Sequence, residues 1–349
     1  MADDGGAKAT TGIRSDIRGA SGVITLDRPA ALNALDLAMI RGIDDALTAF
    51  EADTAVRAVV VRSDHPKAFC SGGDIRAVRA ASLDGRFSDI EAFFAEEYAL
   101  NRRIAAYPKP YVALVDGICM GGGMGVSVHG SHCIVSDGAL MAMPETLIGF
   151  FPDVGATWFL SRLAKGAGLY LGLTGARIGP GDAVALGLGR AYVPRDRLAA
   201  LEAALVDGED ATSAVARLSA PAPEPRPIAT AEAEIAATFG NAVSLPDLID
   251  RLTTSGSPFA NAALESLRGL SPTSLAVTFE TVTRGASLDL AGATAIELAL
   301  TRTVVRSHDF VEGVRAALVD KDRRPRWQPA RTEDVDPASI RALFAEVDG

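Results

Sequence analysis

Along residues 22–142 the apolar positions fall into short continuous runs, each closed by a turn signal. Gly22–Leu26 (GVITL), Arg57–Arg62 (RAVVVR) and Tyr111–Val115 (YVALV) have the length and β-branched content of buried strands. Shorter runs near Cys133–Ser136 and Ala139–Ala142 read the same way. Between these runs the period changes to that of a helix. Asp36 is placed to cap a helix that carries Leu37, Ile40, Ile43, Leu47 and Phe50 on one stripe, and Asp89–Ile104 predicts another. Met124–His129 is expected to open a buried helix. The recurrence of strand, strand, helix predicts stacked turns of one spiral within the α/β class.

After Leu198–Leu205, expected as a helix, the stretch Ser219–Pro227 (SAPAPEPRP) is proline-rich and marks a boundary. Beyond it the pattern is mainly helical, around Ala231–Phe239, Leu245–Leu252, Pro258–Gly269, Ser271–Arg284, Ala291–Arg306 and Asp309–Asp320. The expected division is a disordered lead-in at 1–15, a core at 16–218, a linker at 219–230 and a helical C-terminal domain at 231–349.

Two of the strands run into glycine loops. Lys67–Asp74 (KAFCSGGD) follows the second, and Gly121-Gly122-Gly123 follows the third after an Asp116-Gly117 turn. Glycine lets a ligand reach bare backbone, and free N–H groups at a helix start carry partial positive charge. One N–H from each loop would make an oxyanion hole for a polarised carbonyl. Taken singly, each loop is an ordinary turn; the pair, with carboxylates downstream, is more specific. Those carboxylates are Glu145 and Asp153, set among apolar residues. Glu145 also reads as a helix N-terminal acid, and Asp153 as an N-cap for a helix through Trp158. Glu97 has Phe93, Phe94, Leu100 and Asn101 at helical spacing, which puts a carboxylate on or beside an apolar face. The alternative is that it pairs with Arg102 or Arg103.

AFCSGGDIR (68–76), KPYVALVDGICMGGGMG (109–125) and MPETLIGFFPDVG (143–155) resemble the enoyl-CoA hydratase/isomerase, or crotonase, superfamily. Within it they are most similar to the 3-hydroxyisobutyryl-CoA hydrolase branch, and the C-terminal HDFVEGVRAALVDKDRRPRWQP (308–329) carries that similarity further. The resemblance implies a crotonase-like spiral of repeated ββα units and an acyl-CoA thioester substrate. It implies that the N–H groups of Gly73 and Gly122 hold the thioester oxygen. It makes Glu145 the nucleophile or general base, and Asp153 and Glu97 the groups that recognise a 3-hydroxyl. Leu32, Ala68, Ser71, Gly73, Asp74 and Ile75 would cradle coenzyme A, mostly through backbone. Hydratases of the superfamily use a second glutamate directly after the glycine-rich turn. Here that position is Gly125, which counts against hydration, though a hydratase or isomerase is the alternative reading.

At 349 residues and a net charge of −10, with no long basic run, the chain has the bulk for a large core and no footprint for nucleic acid. Three cysteines at no metal spacing point to a reducing compartment, and the cytoplasm is the expected one. No metal, no cofactor beyond the coenzyme A of the substrate and no membrane span are expected; a homo-oligomer is left open. His129, His132 and His308 are read as structural, and there is no G-x-S-x-G nucleophile elbow. A catalytically inert CoA-binding scaffold is a third reading, against which Glu145, Asp153 and both glycine loops stand.

Overall fold

The computed structural model describes residues 12–345. Its strands are β1 (Ile13–Arg18), β2 (Ser21–Leu26), β3 (Ala58–Ser63), β4 (Ala68–Cys70), β5 (Tyr111–Val115), β6 (Ile118–Met120), β7 (His132–Val135), β8 (Leu140–Ala142) and β9 (Ala191–Tyr192). One sheet runs β1-β2-β3-β5-β7-β9 and a smaller one β4-β6-β8. β1 pairs antiparallel with β2, and every later pairing is parallel. The units β3/β4, β5/β6 and β7/β8 therefore each send one strand to each sheet. A strand's parallel partner then has to come from the next unit, which stacks the units as turns of a spiral. Gly117 permits one of the corners between sheets. Its φ is +115°, and a Cβ there would sit 2.7 Å from the Lys67 carbonyl.

The helices that frame the site are α1 (Leu37–Ala52), α2 (Ile75–Leu83), α3 (Phe87–Ala105), α4 (Gly122–Gly125), α5 (Ala156–Leu160), α6 (Pro272–Gly285), α7 (Leu290–Val304) and α8 (His308–Val314). Of the α1 stripe, Ile40, Ile43, Leu47 and Phe50 are buried and Leu37 is half-buried, and the Asp36 side chain accepts the Met39 N–H at 2.9 Å. α4 is shorter than expected: one turn from Gly122, not a helix over Met124–His129. Ser127 Oγ donates to the Gly123 carbonyl, while the Ser127 N–H turns to Met124, so the ladder tightens and stops.

Residues 1–11 of the expected lead-in lie outside the described residues. Residues 13–15 are not disordered but belong to β1, in register with Ile24–Leu26. This edge strand is mostly exposed, so it carries no run of apolar residues to announce it. The proline-rich boundary is tied down at both ends. Ala220 bridges to Tyr192, and by Pro227–Thr230 the chain is helical, with Ile228 and Ala229 donating to the Asp182 carboxylate. The C-terminal helices do not form a core of their own. Leu35, Phe94 and Phe150 share one continuous apolar cluster with Phe239, Leu275 and Phe310. α7 packs on α3 and α5, α6 packs on α5, and α8 packs on α2.

Candidate active site

The smaller sheet delivers the site. Cys70, Cys119 and Met141 stand side by side on β4, β6 and β8. Neighbouring strands lie about 4.8 Å apart, so the loops leaving their carboxyl ends start as close neighbours. Those loops carry Gly73, Gly122 and Glu145. A Cβ built on Gly122 would lie 3.3 Å from the Gly73 nitrogen, which shows how near the two loops come. Among the described residues neither the Gly73 nor the Gly122 N–H donates to a protein acceptor. Both glycines, with amide donors unspent, line one cavity of about 660 Å³. Gly121, just before them, has φ +46° and ψ −120°, a conformation that only glycine adopts at ease.

Glu97, Glu145 and Asp153 line the same cavity, and all three are buried. α3 supplies Glu97. Its carboxylate hangs over Gly122, where an added Cβ would come within 2.4 Å of Oε1. It does not pair with the neighbouring arginines: Arg102 donates to Thr294, and Arg103 binds Asp44 and Glu51. Glu145 begins the one-turn 3-10 helix Glu145–Ile148, so its expected place at a helix N-terminus holds. Its Oε1 leans over Gly121, and its Oε2 is buried with no protein partner. Asp153 does not cap α5, whose N-cap is Gly155. Its Oδ2 instead accepts the Tyr98 hydroxyl at 2.7 Å.

Among the described residues no cation acts on this group, so burial governs its protonation. Glu145 and Glu97 are each raised well above the ordinary carboxylate range, first by burial and then by Asp153. Asp153 is raised by burial to about 7, with the Tyr98 bond acting the other way. A carboxyl raised on folding holds its proton more tightly when folded. Its contribution to stability is therefore lost as pH rises from the unfolded value toward the folded one. For Asp153 that window runs from 3.8 to about 7. Asp153→Asn keeps an acceptor for Tyr98 and removes the charge. It is expected to stabilise the protein by ~1–4 kcal/mol above pH 8 and to be near neutral below pH 4. Thermal melts at the two pH values measure this, and equal destabilisation at both would contradict it.

Gly125 explains why hydratase chemistry has no second acid here. A Cβ at that position would meet Asn101 Nδ2 at 2.8 Å and Val154 Cβ at 2.9 Å. The space a glutamate would need is already filled from α3 and from the segment next to Asp153.

Of the residues expected to hold coenzyme A, Ser71, Gly73 and Ile75 line the cavity, while Leu32, Ala68 and Asp74 do not. They brace the loop: Ser71 N donates to the Leu32 carbonyl, and Asp74 caps α2 and pairs with Arg28 at 2.7 Å. The Ala68 carbonyl accepts from Ser63 Oγ. Phe150 lines the cavity; Phe151 and Trp158 do not. The far wall comes from the C-terminal segment, through Ala316–Leu318, Arg323 and Pro325. His129 is bonded to the Val154 carbonyl, His132 lies by Ser131 and Thr212, and His308 by the Arg326 carbonyl, all structural positions.

Sequence reasoning passed over two site residues. Tyr98 follows Glu97 directly and is fully buried. Glu297, on α7, is also fully buried and accepts the Gly155 and Thr157 N–H groups. The spacing rule that flags Glu97 flags Glu297 as well, because Ala293, Thr294, Leu300 and Thr301 surround it along the helix.

A family model described as enoyl-CoA hydratase/isomerase matches residues 21–344. The chain belongs to this family. Among curated relatives, 3-hydroxyisobutyryl-CoA hydrolase, mitochondrial, of Xenopus laevis is 42% identical over 342 residues, covering 94% of this chain and 87% of the relative. The Homo sapiens protein of the same name is 39% identical over 335 residues, covering 94% and 86%. Among solved structures, a family member from Rhodobacter sphaeroides 2.4.1 described as an enoyl-CoA hydratase superposes with a TM-score of 0.89. It has 40% identity and coverage of 96% and 97%. A carnitinyl-CoA dehydratase from Mycobacterium thermoresistibile gives a TM-score of 0.90 at 36% identity, with coverage of 95% and 96%. The crotonase fold with its helical C-terminal region is thus shared along nearly the whole chain.

Proposed function

We propose that this protein hydrolyses the thioester of a short 3-hydroxyacyl-CoA to the free hydroxy acid and CoA. The hydrolase relatives point to 3-hydroxyisobutyryl-CoA, with 3-hydroxypropionyl-CoA as the related substrate, and to a place in valine breakdown. One observation carries the reading: Glu145 lines the same cavity as the two glycines with free amides, while the second acid of hydration is replaced by Gly125 and its space is filled.

In this reading the thioester oxygen sits between the Gly73 and Gly122 N–H groups, which stabilise the charge that develops on it. Glu145, as carboxylate, attacks the thioester carbon or takes a proton from the water that attacks it. The C–S bond breaks, the CoA sulfur leaves with a proton, and one water is consumed in releasing the hydroxy acid. Solvent ¹⁸O on Glu145 after a single turnover marks the covalent route with water opening the anhydride at the glutamyl carbonyl, in which case a Glu145 oxygen leaves with the acid. In the general-base route the label goes to the acid alone. Asp153 and Glu97 hold the 3-hydroxyl, which a protonated carboxyl donates to and an ionised one accepts from. The coenzyme A arm lies along Ser71–Ile75. All three cysteines are buried and free, which supports a reducing compartment, and we place the enzyme in the cytoplasm.

The structures described as a hydratase and a dehydratase favour a second reading, reversible hydration of an enoyl-CoA. Thiol release from 3-hydroxyisobutyryl-CoA, run beside absorbance loss on crotonyl-CoA, decides between them. The expected result is thiol release at least about 100-fold faster than hydration, because the missing acid removes one acid–base contribution. Hydration as the faster reaction would refute the proposal.

A further inference from the structure

The segment that aims Asp153 is an unusual piece of backbone. Val154, β-branched and buried, has φ +54°, and Gly155 has φ +83°. Left to itself such a turn would relax, so something holds it. His129 Nε2 bonds the Val154 carbonyl at 2.7 Å, and Tyr98 reaches Asp153 itself. The third hold comes from far away in sequence. Glu297 accepts the Gly155 N–H at 2.7 Å on Oε2 and the Thr157 N–H at 2.9 Å on Oε1. The turn is closed in from both sides, since a Cβ on Gly155 would meet Leu290 of α7 at 2.7 Å and His129 at 2.8 Å.

A helix cap alone would not call for this arrangement. α5 is a single turn, and an exposed serine or aspartate beside it would satisfy the same donors. Glu297 is instead fully buried, and both burial and the nearby Asp153 carboxyl oppose its charge. The two backbone bonds are what it gains there.

We infer that Glu297 is a positioning residue for Asp153: from α7 its carboxyl clamps the 153–157 turn and so fixes the aim of the group that recognises the 3-hydroxyl. The inference rests on the hydrolase reading above. It makes the C-terminal helical region part of the specificity apparatus, not merely a cover for the core.

The test compares kcat/KM for 3-hydroxybutyryl-CoA and butyryl-CoA, which differ by the hydroxyl alone. Glu297→Gln keeps the side-chain volume but can accept only one of the two bonds. It is expected to lower kcat/KM on the hydroxylated substrate by about 10- to 100-fold, the scale of a small misplacement. On butyryl-CoA the change stays within about 3-fold, and added to Asp153→Asn it costs less than about 3-fold more, because both act on one group. Thermal melting and inhibition by free CoA report that the fold and the CoA arm are unaltered. Should the amide variant not fold, Glu297→Asp, which keeps the carboxyl on a shorter arm, takes its place. Equal losses on both substrates, or effects that multiply fully with Asp153→Asn, overturn the assignment. Hydroxyl preference lost in Asp153→Asn but kept in Glu297→Gln overturns it alone. Preference kept in Asp153→Asn brings down the Asp153 reading and this inference together.

Discussion

Glu145→Gln is expected to reduce thioester turnover by at least about 1,000-fold in kcat while CoA affinity changes little. The side chain that changes is the one whose Oε2 is buried with no protein partner, so the fold loses no internal bond with it. Burial and Asp153 hold the Glu145 proton well above the ordinary carboxylate range. Removing that charge is therefore neutral or stabilising above neutral pH, and the variant should melt no lower than wild type. The same shift sets the pH dependence of the wild type. The active form is the carboxylate, so kcat/KM rises with pH, along a limb displaced upward from the usual carboxylate value. In Glu145→Gln that limb has nothing left to report. Turnover within about 10-fold of wild type, measured by thiol release, would remove Glu145 from the chemistry.

How far the sequence reached is set by the range of the interactions involved. Strands such as Tyr111–Val115 are buried on every residue, and a continuous apolar run declares that directly. That Gly73, Gly122 and Glu145 line one cavity could be expected because each sits within a few residues of a strand end, in a short local motif. Asp153 was legible as a site residue but not as a partner of Tyr98, since 55 residues separate them. Glu297 lies 142 residues from the Gly155 it holds, and its local signal is only a lone acid in an apolar helix. β1 was missed because an exposed edge strand has little hydrophobic pattern to read. The absence of an acid at Gly125 was visible, whereas its cause was not. Asn101 and Val154 arrive there from two other parts of the chain.

Gly122→Ala is expected to cost about 100- to 1,000-fold in kcat, the range for losing one donor of an oxyanion hole. Gly122 does not occupy a left-handed conformation, so the new methyl strains no backbone, and the effect arises from what it touches. It would lie 2.4 Å from Glu97 Oε1, 3.2 Å from Leu35 Cδ1 and 3.3 Å from the Gly73 nitrogen. The methyl therefore intrudes between the two amides that are to share one oxygen, and it pushes the Glu97 carboxylate off its place. Gly125→Ala makes the informative contrast, because its methyl meets Asn101 and Val154 outside the cavity lining. That variant should lose stability by ~1–3 kcal/mol, as overpacking does, and keep more of its activity per folded molecule. Combining Gly122→Ala with Glu97→Ala separates the two consequences of the first change. Relief of the clash restores melting temperature, while the blocked approach to the Gly73 amide leaves kcat low. If the double variant instead regained wild-type kcat, the amide pair would not be what holds the thioester oxygen.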